Sequence, residues 1–175
     1  VFHQKIHQFG IESIHGIMPL GFTEGSVEAK ETLRLALFGK SVLLETLSQK
    51  ENKLGEVRGP LVGGNMTIIY SLMQTELSYS FENKILFIED IGEHIYKIDR
   101  MLYAFKMAGI FNQIKGLILG GFTDMEDTDV PFGKTIEELV LEQVHNLDIP
   151  VAFNMPIGHI HDNRSLVVGR TVSLR

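Results

Sequence analysis

The sequence predicts an α/β fold built in layers, on the basis of three observations. Short apolar runs such as Ile85–Ile88 and Leu117–Leu119 are typical of strands buried on both faces. Stripes of apolar side chains at helical spacing lie between these runs. The runs and the stripes alternate along the second half of the chain, and this alternation favours a parallel sheet covered by helices.

Composition and charge exclude several classes of protein. The 175 residues are 44% hydrophobic and 22% charged, which is typical of a folded globular chain rather than a disordered one. The net charge of −6 disfavours a basic surface for nucleic acid. No cysteine is present for disulfides, thiolate metal sites or nucleophilic catalysis, and no apolar run approaches the roughly 18 residues of a membrane helix. We therefore predict neither nucleic-acid nor membrane partners.

Before residue 56 the pattern predicts two helices and two strands. The first helix, over 1–9, has apolar Phe2, Ile6 and Phe9 at helical spacing, and a strand over 11–14 follows it. The second helix, over 27–38, is capped by Ser26 and has an apolar stripe that includes Val27, Leu37 and Phe38. A strand over 41–48 and a polar segment over 49–53 come next. No N-cap residue precedes the first helix, and the chain begins with Val1 rather than methionine. We therefore expect the sequence to be a fragment that begins inside a helix of a longer protein.

After residue 56 strands and helices alternate regularly. The predicted elements are a strand over 56–62, a helix over 65–74 capped by Asn65, a strand over 85–88, a helix around Ile98–Phe105 that ends by Gly109, a strand over 117–119, a helix over 135–146, a strand over 150–153 and one or two strands over 166–174.

The first candidate for chemistry is the acidic pair Glu89 and Asp90, which directly follows the strand 85–88. Ligand sites of open α/β sheets gather at the carboxyl ends of strands, so an acid at this position is held at a cleft. The structural alternative is that the acid caps the following turn or pairs with Lys97 or Arg100.

The second candidate is His159, which follows the strand 150–153 and is preceded by Gly158. Glycine permits a tight turn that exposes the imidazole, and histidine titrates near neutral pH, as a general base requires. The alternative is a loop histidine bonded to backbone or water. If the fold brings Glu89 to one ring nitrogen of His159, the other nitrogen is free to take a proton from a nucleophile.

Two patterns raise the possibility of a metal site. His3 and His7 are spaced at i, i+4, but the glutamate of a zincin motif is missing, and we interpret the pair as a solvated helix face. Residues 159–162 carry ligand types at alternate positions that Glu89 and Glu93 could join. Because His-x-His is a weak signal, we predict no metal and no other cofactor.

Phosphate-binding and serine-nucleophile motifs are incomplete. Gly63-Gly64-Asn65 has no lysine in the P-loop position, although free N–H groups at such a turn suit a carboxylate or phosphate on a ligand. Neither Ser13, Ser71 nor Ser165 lies in a Gly-x-Ser-x-Gly turn. These residues provide no nucleophile for a serine hydrolase.

Several motifs nevertheless occur in series. They are Ile14–Met18, Gly63-Gly64-Asn65, the segment Leu86-Phe87-Ile88-Glu89-Asp90-Ile91-Gly92-Glu93, Tyr96–Arg100, Gly120-Gly121-Phe122, Pro150-Val151 and Pro156-Ile157-Gly158-His159. In order and spacing this series resembles the LD-carboxypeptidase family of serine peptidases. One departure is Ile17, which stands where the family's His-Gly-Pro-Met segment has proline.

The resemblance implies a Ser–Glu–His triad in which Glu89 is the acid and His159 the base. The family serine lies in a Gly-x-Ser-Asp turn, which we expect a few residues before Val1. Asn65 matches the asparagine that borders the family's substrate cleft, and we therefore predict it as a substrate-binding residue.

The resemblance also implies a domain organisation. Residues 1–39 would be the tail of an N-terminal α/β domain, with its last helix, strand and helix, and residues 40–55 a linker. Residues 56–175 would form a C-terminal domain of the swivelling β/β/α type.

By resemblance, the full-length protein releases a C-terminal D-amino acid from muropeptide tetrapeptides during cytoplasmic cell-wall recycling. A branch of the family cleaves peptide–nucleotide antibiotics instead, and a non-catalytic binding domain is a further alternative. Without the serine we expect this chain alone to be inactive. We also expect exposed apolar surface to drive association into a homo-oligomer.

Overall fold

The computed structural model describes residues 1–46 and 49–175. The strands are β1 (Ser13–His15), β2 (Val57–Asn65), β3 (Ile85–Ile91), β4 (Gly116–Thr123), β5 (Val151–Ala152), β6 (Leu166–Val168) and β7 (Thr171–Leu174). The helices are α1 (Phe2–His7), α2 (Val27–Leu37), α3 (Met66–Leu72), α4 (Ile95–Met107), α5 (Ile110–Gln113) and α6 (Ile136–Val144), with a 3₁₀ turn at Pro19–Gly21.

The centre of the molecule is a five-stranded sheet in the order β5-β4-β3-β2-β7. Strands β2 to β5 run parallel, and β7 pairs antiparallel with β2. The four apolar residues of Ile85–Ile88 are completely buried, as the continuous apolar run predicts. Helix α4 packs against α3, α5 and α6. This alternation of parallel strands and helices confirms the predicted α/β class.

The helices that follow the strands begin where the sequence predicts. Asn65 caps α3 by accepting a hydrogen bond from the backbone N–H of Ile68 at 3.0 Å. Thr135 and Glu138 form a reciprocal capping box at the start of α6. The inward stripe of α4 consists of Ile98, Met101, Leu102 and Phe105, all buried.

Residues before Leu37 are attached to the end of the chain by a second, two-stranded sheet. Strand β1 pairs antiparallel with β6, and Glu12 forms an ion pair with Arg170 at 2.5 Å. Thr32 on α2 accepts a hydrogen bond from the backbone N–H of Ser165 at 3.0 Å. The first helices therefore lie against the segment that carries His159.

The apolar side chains of these first two helices are placed differently from what a simple amphipathic pattern suggests. Phe2 and Phe9 are 83% and 70% exposed, while Gln4 is buried and His3 and His7 are half-buried. The interpretation of His3 and His7 as a solvated face is therefore wrong. In α2 the small residues Ala29, Thr32 and Ala36 face inward, whereas Val27, Leu37 and Phe38 are exposed. Small side chains allow this helix to approach β1 and the Ser165 backbone closely.

The segment predicted as a linker, residues 40–55, contacts the edge strand β5 near its end. Residues 41–46 form no strand, and Leu47 and Ser48 of the predicted strand 41–48 lie outside the described residues. Lys53 makes an antiparallel bridge to Val151, and Asn52 accepts a hydrogen bond from the backbone N–H of Phe153 at 2.9 Å. The division of the chain into two domains at this segment stays a prediction.

No helix within residues 1–46 and 49–175 is long and apolar enough to cross a membrane.

Candidate active site

Glu89 lies at the carboxyl end of β3, in register with Asn65 of the neighbouring strand β2. The pairing of β3 with β4 shifts register between Ile88 and Asp90, where Gly120 and Gly121 supply the extra length. A bulge of this kind changes the direction of a side chain at a strand end. The carboxyl ends of parallel strands are where α/β sheets bind ligands, so the position of Glu89 is suited to a functional acid.

His159 lies in a tight loop that follows β5 and contains Gly158 at a φ of +100°. The loop is braced from within, because Asn163 Oδ1 accepts a hydrogen bond from the Gly158 backbone N–H at 3.0 Å. The hydroxyl of Thr123, at the end of β4, donates to the carbonyl of His159 at 3.1 Å. These contacts hold the imidazole at the same edge of the sheet as Glu89.

The structure brings the two predicted side chains together. Oε2 of Glu89 lies 2.7 Å from Nδ1 of His159, although 70 positions separate them in sequence. Glu89 is 1% exposed, whereas the His159 side chain is 50% exposed. Nε2 of His159 has no hydrogen-bond partner within the described part of the chain. In this arrangement a buried carboxylate can orient an accessible imidazole.

Burial dominates the electrostatics of Glu89. It raises the pKa of this carboxyl, while the hydrogen bond and the charge of His159 act in the opposite direction and the adjacent Asp90 raises the pKa further. The second carboxylate oxygen, Oε1, is buried and has no hydrogen-bond partner among the described residues. Keeping Glu89 ionised at this buried position costs free energy. Acids that are buried at such a cost are often functional, which makes the pair with His159 a candidate site.

A cavity of about 200 Å³ opens beside this pair. It is lined by the end of β2, by α1 and α3, and by β1, including His3, His15, Gly63, Asn65, Glu89 and His159. A larger cavity of about 680 Å³ shares His3, His15 and His159 and extends along the segment Ile14–Met18. His159 thus lies where two cavities meet.

Asn65 lines the smaller cavity, but its side chain is engaged within the protein. Its amide oxygen caps α3, and its amide nitrogen donates to Asp90 Oδ1 at 2.7 Å. Asp90 Oδ2 accepts from the backbone N–H and the hydroxyl of Thr67 at 2.9 and 2.8 Å. Asp90 therefore links the start of α3 to β3, so its role is structural. The ion pair with Lys97 that the structural alternative suggested is not formed by Glu89 or Asp90, because Lys97 pairs with Glu93.

Two residues beside the site are not among the site residues that the sequence predicts, although His15 lies within the Ile14–Met18 motif. His15 reaches the cavity only because β1 pairs with β6, and nothing near it in the sequence indicates that pairing. Thr67 joins the Asp90 network, and its only local signal is its place two residues after a helix cap. Both depend on contacts between distant parts of the chain.

The alternative metal patterns are not assembled within residues 1–46 and 49–175, where no three His, Asp or Glu side chains form a group that could hold a metal ion. His3 Nδ1 lies 2.7 Å from the hydroxyl of Ser13. Asp162 accepts hydrogen bonds from Ser26 and Arg164 at 2.5 and 2.9 Å.

Serine hydroxyls of the described residues are used elsewhere or lie apart from His159. Ser13 bonds His3, and Ser71 donates to a carbonyl of its own helix at 2.9 Å. The hydroxyl of Ser165 is buried and lies against Gly16. Within the described part of the chain, no serine hydroxyl forms a hydrogen bond with His159.

Comparison with known proteins places this geometry in a family. Residues 58–174 match the family model of the LD-carboxypeptidase C-terminal domain. The protein slr1534 of Synechocystis sp., described only provisionally as a carboxypeptidase, is 36% identical over 165 residues, which cover 94% of this chain and 54% of that protein. The murein tetrapeptide carboxypeptidase of Pseudomonas aeruginosa is 29% identical over 184 residues, covering 99% of this chain and 59% of its own length.

The fold agrees with these matches. The crystal structure of muramoyltetrapeptide carboxypeptidase from Oxalobacter formigenes superposes with a TM-score of 0.82 at 29% identity, covering 98% of this chain and 60% of that one. The chain thus spans somewhat more than half the length of the relatives that it matches. Together, the matched domain, the identities and the shared fold show that this chain belongs to the LD-carboxypeptidase family and contains its C-terminal domain.

Proposed function

We propose that this chain supplies the acid and the base of a serine-type LD-carboxypeptidase. The observation that carries the proposal is the 2.7 Å contact between Glu89 Oε2 and His159 Nδ1 beside an open cavity. A non-catalytic binding domain has no need to bury an acid against an accessible imidazole at a strand end.

In the proposed mechanism His159 acts first as a base and then as an acid. Its Nε2 takes the proton of a serine hydroxyl as the serine oxygen attacks the carbonyl carbon of an L-residue linked to a C-terminal D-amino acid. The same proton then passes to the amide nitrogen, the C–N bond breaks, and the D-amino acid leaves with a free amine. Water, deprotonated by His159, hydrolyses the ester and restores the serine.

Glu89 keeps the imidazole in the required tautomer. A carboxylate at Nδ1 holds the proton on that nitrogen and leaves the Nε2 lone pair free, and it stabilises the imidazolium that forms during each step. The N–H donors of the oxyanion hole would include that of the residue after the serine.

The nucleophilic serine of this mechanism comes from a part of the protein outside these 175 residues, in a Gly-x-Ser-Asp turn. Two facts support this assignment. This chain covers only 54% and 60% of two of the relatives, and the serine hydroxyls described above do not bond His159. We therefore expect the 175-residue chain alone to release no D-amino acid.

We infer the substrate class from the names of the relatives. The matched proteins of P. aeruginosa and O. formigenes are named as carboxypeptidases of murein and muramoyl tetrapeptides. By analogy, we propose that the full-length protein trims tetrapeptides in the cytoplasm and releases D-alanine, with no cofactor. Asn65 would border the bound peptide through the second hydrogen of its amide.

The test is release of D-alanine from a muropeptide tetrapeptide by the full-length protein, measured with wild type, Glu89→Ala and His159→Ala. We expect each variant to lose at least about 10³-fold in kcat, because removing a triad member leaves only binding and oxyanion stabilisation. Glu93→Ala is a matched control, since this acid pairs with Lys97 rather than His159.

The outcomes separate the candidate functions. Near-wild-type activity of either triad variant would contradict the role assigned to that residue. If wild type cleaves a peptide–nucleotide but not a tetrapeptide, the site stands and the substrate class is wrong. If wild type binds peptides without cleaving them, the chain is a binding domain.

A further inference from the structure

The larger cavity beside His159 has mainly apolar walls and a single carboxylate. Among the described side chains that line its 680 Å³, Glu24 is the one acid, and neither lysine nor arginine is present. The apolar side chains of the wall are those of Ile14, Ile17, Met18, Leu20 and Ile160. Such a cavity is complementary to a ligand that combines an aliphatic chain with a positively charged end.

The turn that carries Glu24 is attached to the loop that carries the base. This turn lies between the 3₁₀ turn and α2, and it is closed by a hydrogen bond from the Gly25 N–H to the Gly21 carbonyl at 2.7 Å. The next residue, Ser26, donates its backbone N–H to the carbonyl of His161 at 3.3 Å. Glu24 is therefore held on the opposite side of the cavity opening from a loop whose position is fixed.

The apolar wall of this cavity is only partly covered by the protein. Ile17 is buried inside the turn, and a Cβ atom on Gly25 would collide with it. Met18 and Leu20, in contrast, are 69% and 91% exposed. An aliphatic chain that lies against these two side chains would remove apolar surface from water, which favours binding.

The carboxylate of Glu24 is available to a ligand. The residue is exposed, and it forms no ion pair and no side-chain hydrogen bond within residues 1–46 and 49–175. The arginines nearest to it in sequence and on the adjoining loop already have acidic partners, because Arg34 pairs with Glu31 and Arg164 with Asp162. A cation on a bound peptide therefore meets no competing cation from these pairs.

Charge and size indicate which end of the substrate enters the larger cavity. The C-terminal D-amino acid of the proposed substrate is one residue with a carboxylate, which Glu24 would repel. The smaller cavity of about 200 Å³ offers that residue a place away from Glu24. The L-residue on the other side of the scissile bond then extends into the larger cavity, because His159 lies where the two cavities meet.

We propose that Glu24 is a specificity-determining residue, whose carboxylate pairs with an ammonium group at the end of an aliphatic side chain on the L-residue before the scissile bond. The methylene groups of that side chain lie against Met18 and Leu20. This inference rests on the proposed function and adds to it the kind of L-residue that the site selects.

The test uses the full-length enzyme and three synthetic tetrapeptides that differ only in the L-residue, which is lysine, Nε-acetyl-lysine or norleucine. Acetyl-lysine keeps the aliphatic chain but loses the charge, and norleucine lacks the amine altogether. We expect wild type to have a kcat/KM about fivefold higher for the lysine peptide than for either neutral peptide. This ratio should fall as NaCl is raised, because salt screens an accessible ion pair.

Two substitutions at Glu24 should change this ratio in a graded way. Glu24→Gln removes the charge and should bring the ratio close to one, with kcat/KM for the norleucine peptide within about twofold of wild type. Glu24→Lys reverses the charge and should bring the ratio below one, because the lysine peptide is then repelled. A purely structural role of Glu24 would change the rates for all three peptides together.

Glu28→Gln is the matched control. Glu28 is an exposed acid in the first turn of α2, four residues from Glu24, and it lines neither of the two cavities beside His159. Its substitution removes the same charge from the same part of the protein. We expect this variant to keep the wild-type preference for the lysine peptide.

The possible outcomes distinguish the inference from the proposed function. If wild type releases D-alanine from none of the three peptides, the proposed function fails, and the inference fails with it. If wild type is active but shows no preference for lysine, or if Glu24→Gln keeps that preference, the inference alone is wrong. It is also wrong if Glu28→Gln lowers the ratio as much as Glu24→Gln, because the preference then comes from the overall charge of the protein.

Discussion

A Cβ atom on Gly158 would lie 2.8 Å from Oε2 of Glu89, the oxygen that bonds His159. Atoms of this kind do not approach so closely without a shift in one of them. The backbone at Gly158 also has a φ of +100°, which L side chains rarely adopt. Gly158 therefore leaves the space in which the carboxylate meets the imidazole.

Gly158→Ala should separate Glu89 from His159. We expect kcat of the full-length enzyme to fall about 100-fold, because a displacement of about 1 Å in a catalytic group has an effect of that size. Gly133→Ala is the control: Gly133 has a φ of +80°, but no atom lies within 4 Å of its added Cβ. A similar loss of kcat in both variants would mean that backbone strain, rather than the contact with Glu89, is responsible.

Glu89→Gln should increase stability at neutral pH while it reduces activity. Burial raises the pKa of Glu89 in the folded state above the 4.5 of an exposed glutamate, so the folded protein binds the proton more tightly than the unfolded chain. Wild type therefore loses stability relative to Glu89→Gln as pH rises from about 4.5 through the folded pKa. Urea unfolding at pH 4.5, 6 and 8 measures this difference, and a difference that does not grow with pH would contradict the burial cost.

His15 should make the fold sensitive to acid. Its pKa of about 4 in the folded state lies below the 6.5 of an exposed histidine, so the unfolded chain takes up the proton first as pH falls. We expect this residue to remove about 3 kcal/mol of unfolding free energy between pH 6.5 and 4. His3 and His7 also have lowered pKa values, so the measurement compares wild type with His15→Gln, whose pH slope should be shallower.

Ser26→Ala should affect both stability and activity. The Ser26 hydroxyl caps α2 at the Ala29 N–H and donates to Asp162 in the loop that carries His159, at 2.9 and 2.5 Å. Loss of the cap should cost about 1 kcal/mol, and loss of the contact with Asp162 should lower kcat several-fold. Thr135→Ala removes a comparable cap from α6 without touching this loop, so its stability should fall while kcat stays at the wild-type value.

The 175-residue chain should associate with itself. Phe2, Phe9, Leu20 and Phe38 are all more than two-thirds exposed in its first 38 residues, which is much apolar surface for one short segment. We expect light scattering to report a dimer or larger species at micromolar concentration, and a double variant Phe2→Ser, Phe9→Ser to shift the population toward monomer. A monodisperse wild-type monomer would contradict this expectation.

Much of the sheet and the acid–base pair follow from local sequence signals. The run Ile85–Ile88 is apolar enough to identify a buried strand, and the rule that ligands bind at carboxyl ends of strands points to Glu89. Gly158 marks the turn that exposes His159. The catalytic roles of Glu89 and His159 and the substrate-binding role of Asn65 stay predictions until the variants are assayed.

The first 40 residues carry weaker local signals, for a physical reason. In α1 the half-buried side chains are polar ones, and in α2 the buried ones are small, because both helices lie against strands and loops from the far end of the chain. Periodicity reports which side of a helix is apolar, but not which partner the helix meets. The contribution of His15 to the cavity depends on the same distant pairing.

The pairing of β1 with β6 joins positions roughly 150 residues apart. Closing a loop of this length carries an entropic cost, so we expect this pairing to form late in folding. During synthesis, β1 emerges from the ribosome long before β6, and the loop of His159 is made only shortly before β6. We therefore expect the wall that β1 contributes to the cavity beside His159 to be incomplete until β6 has been translated.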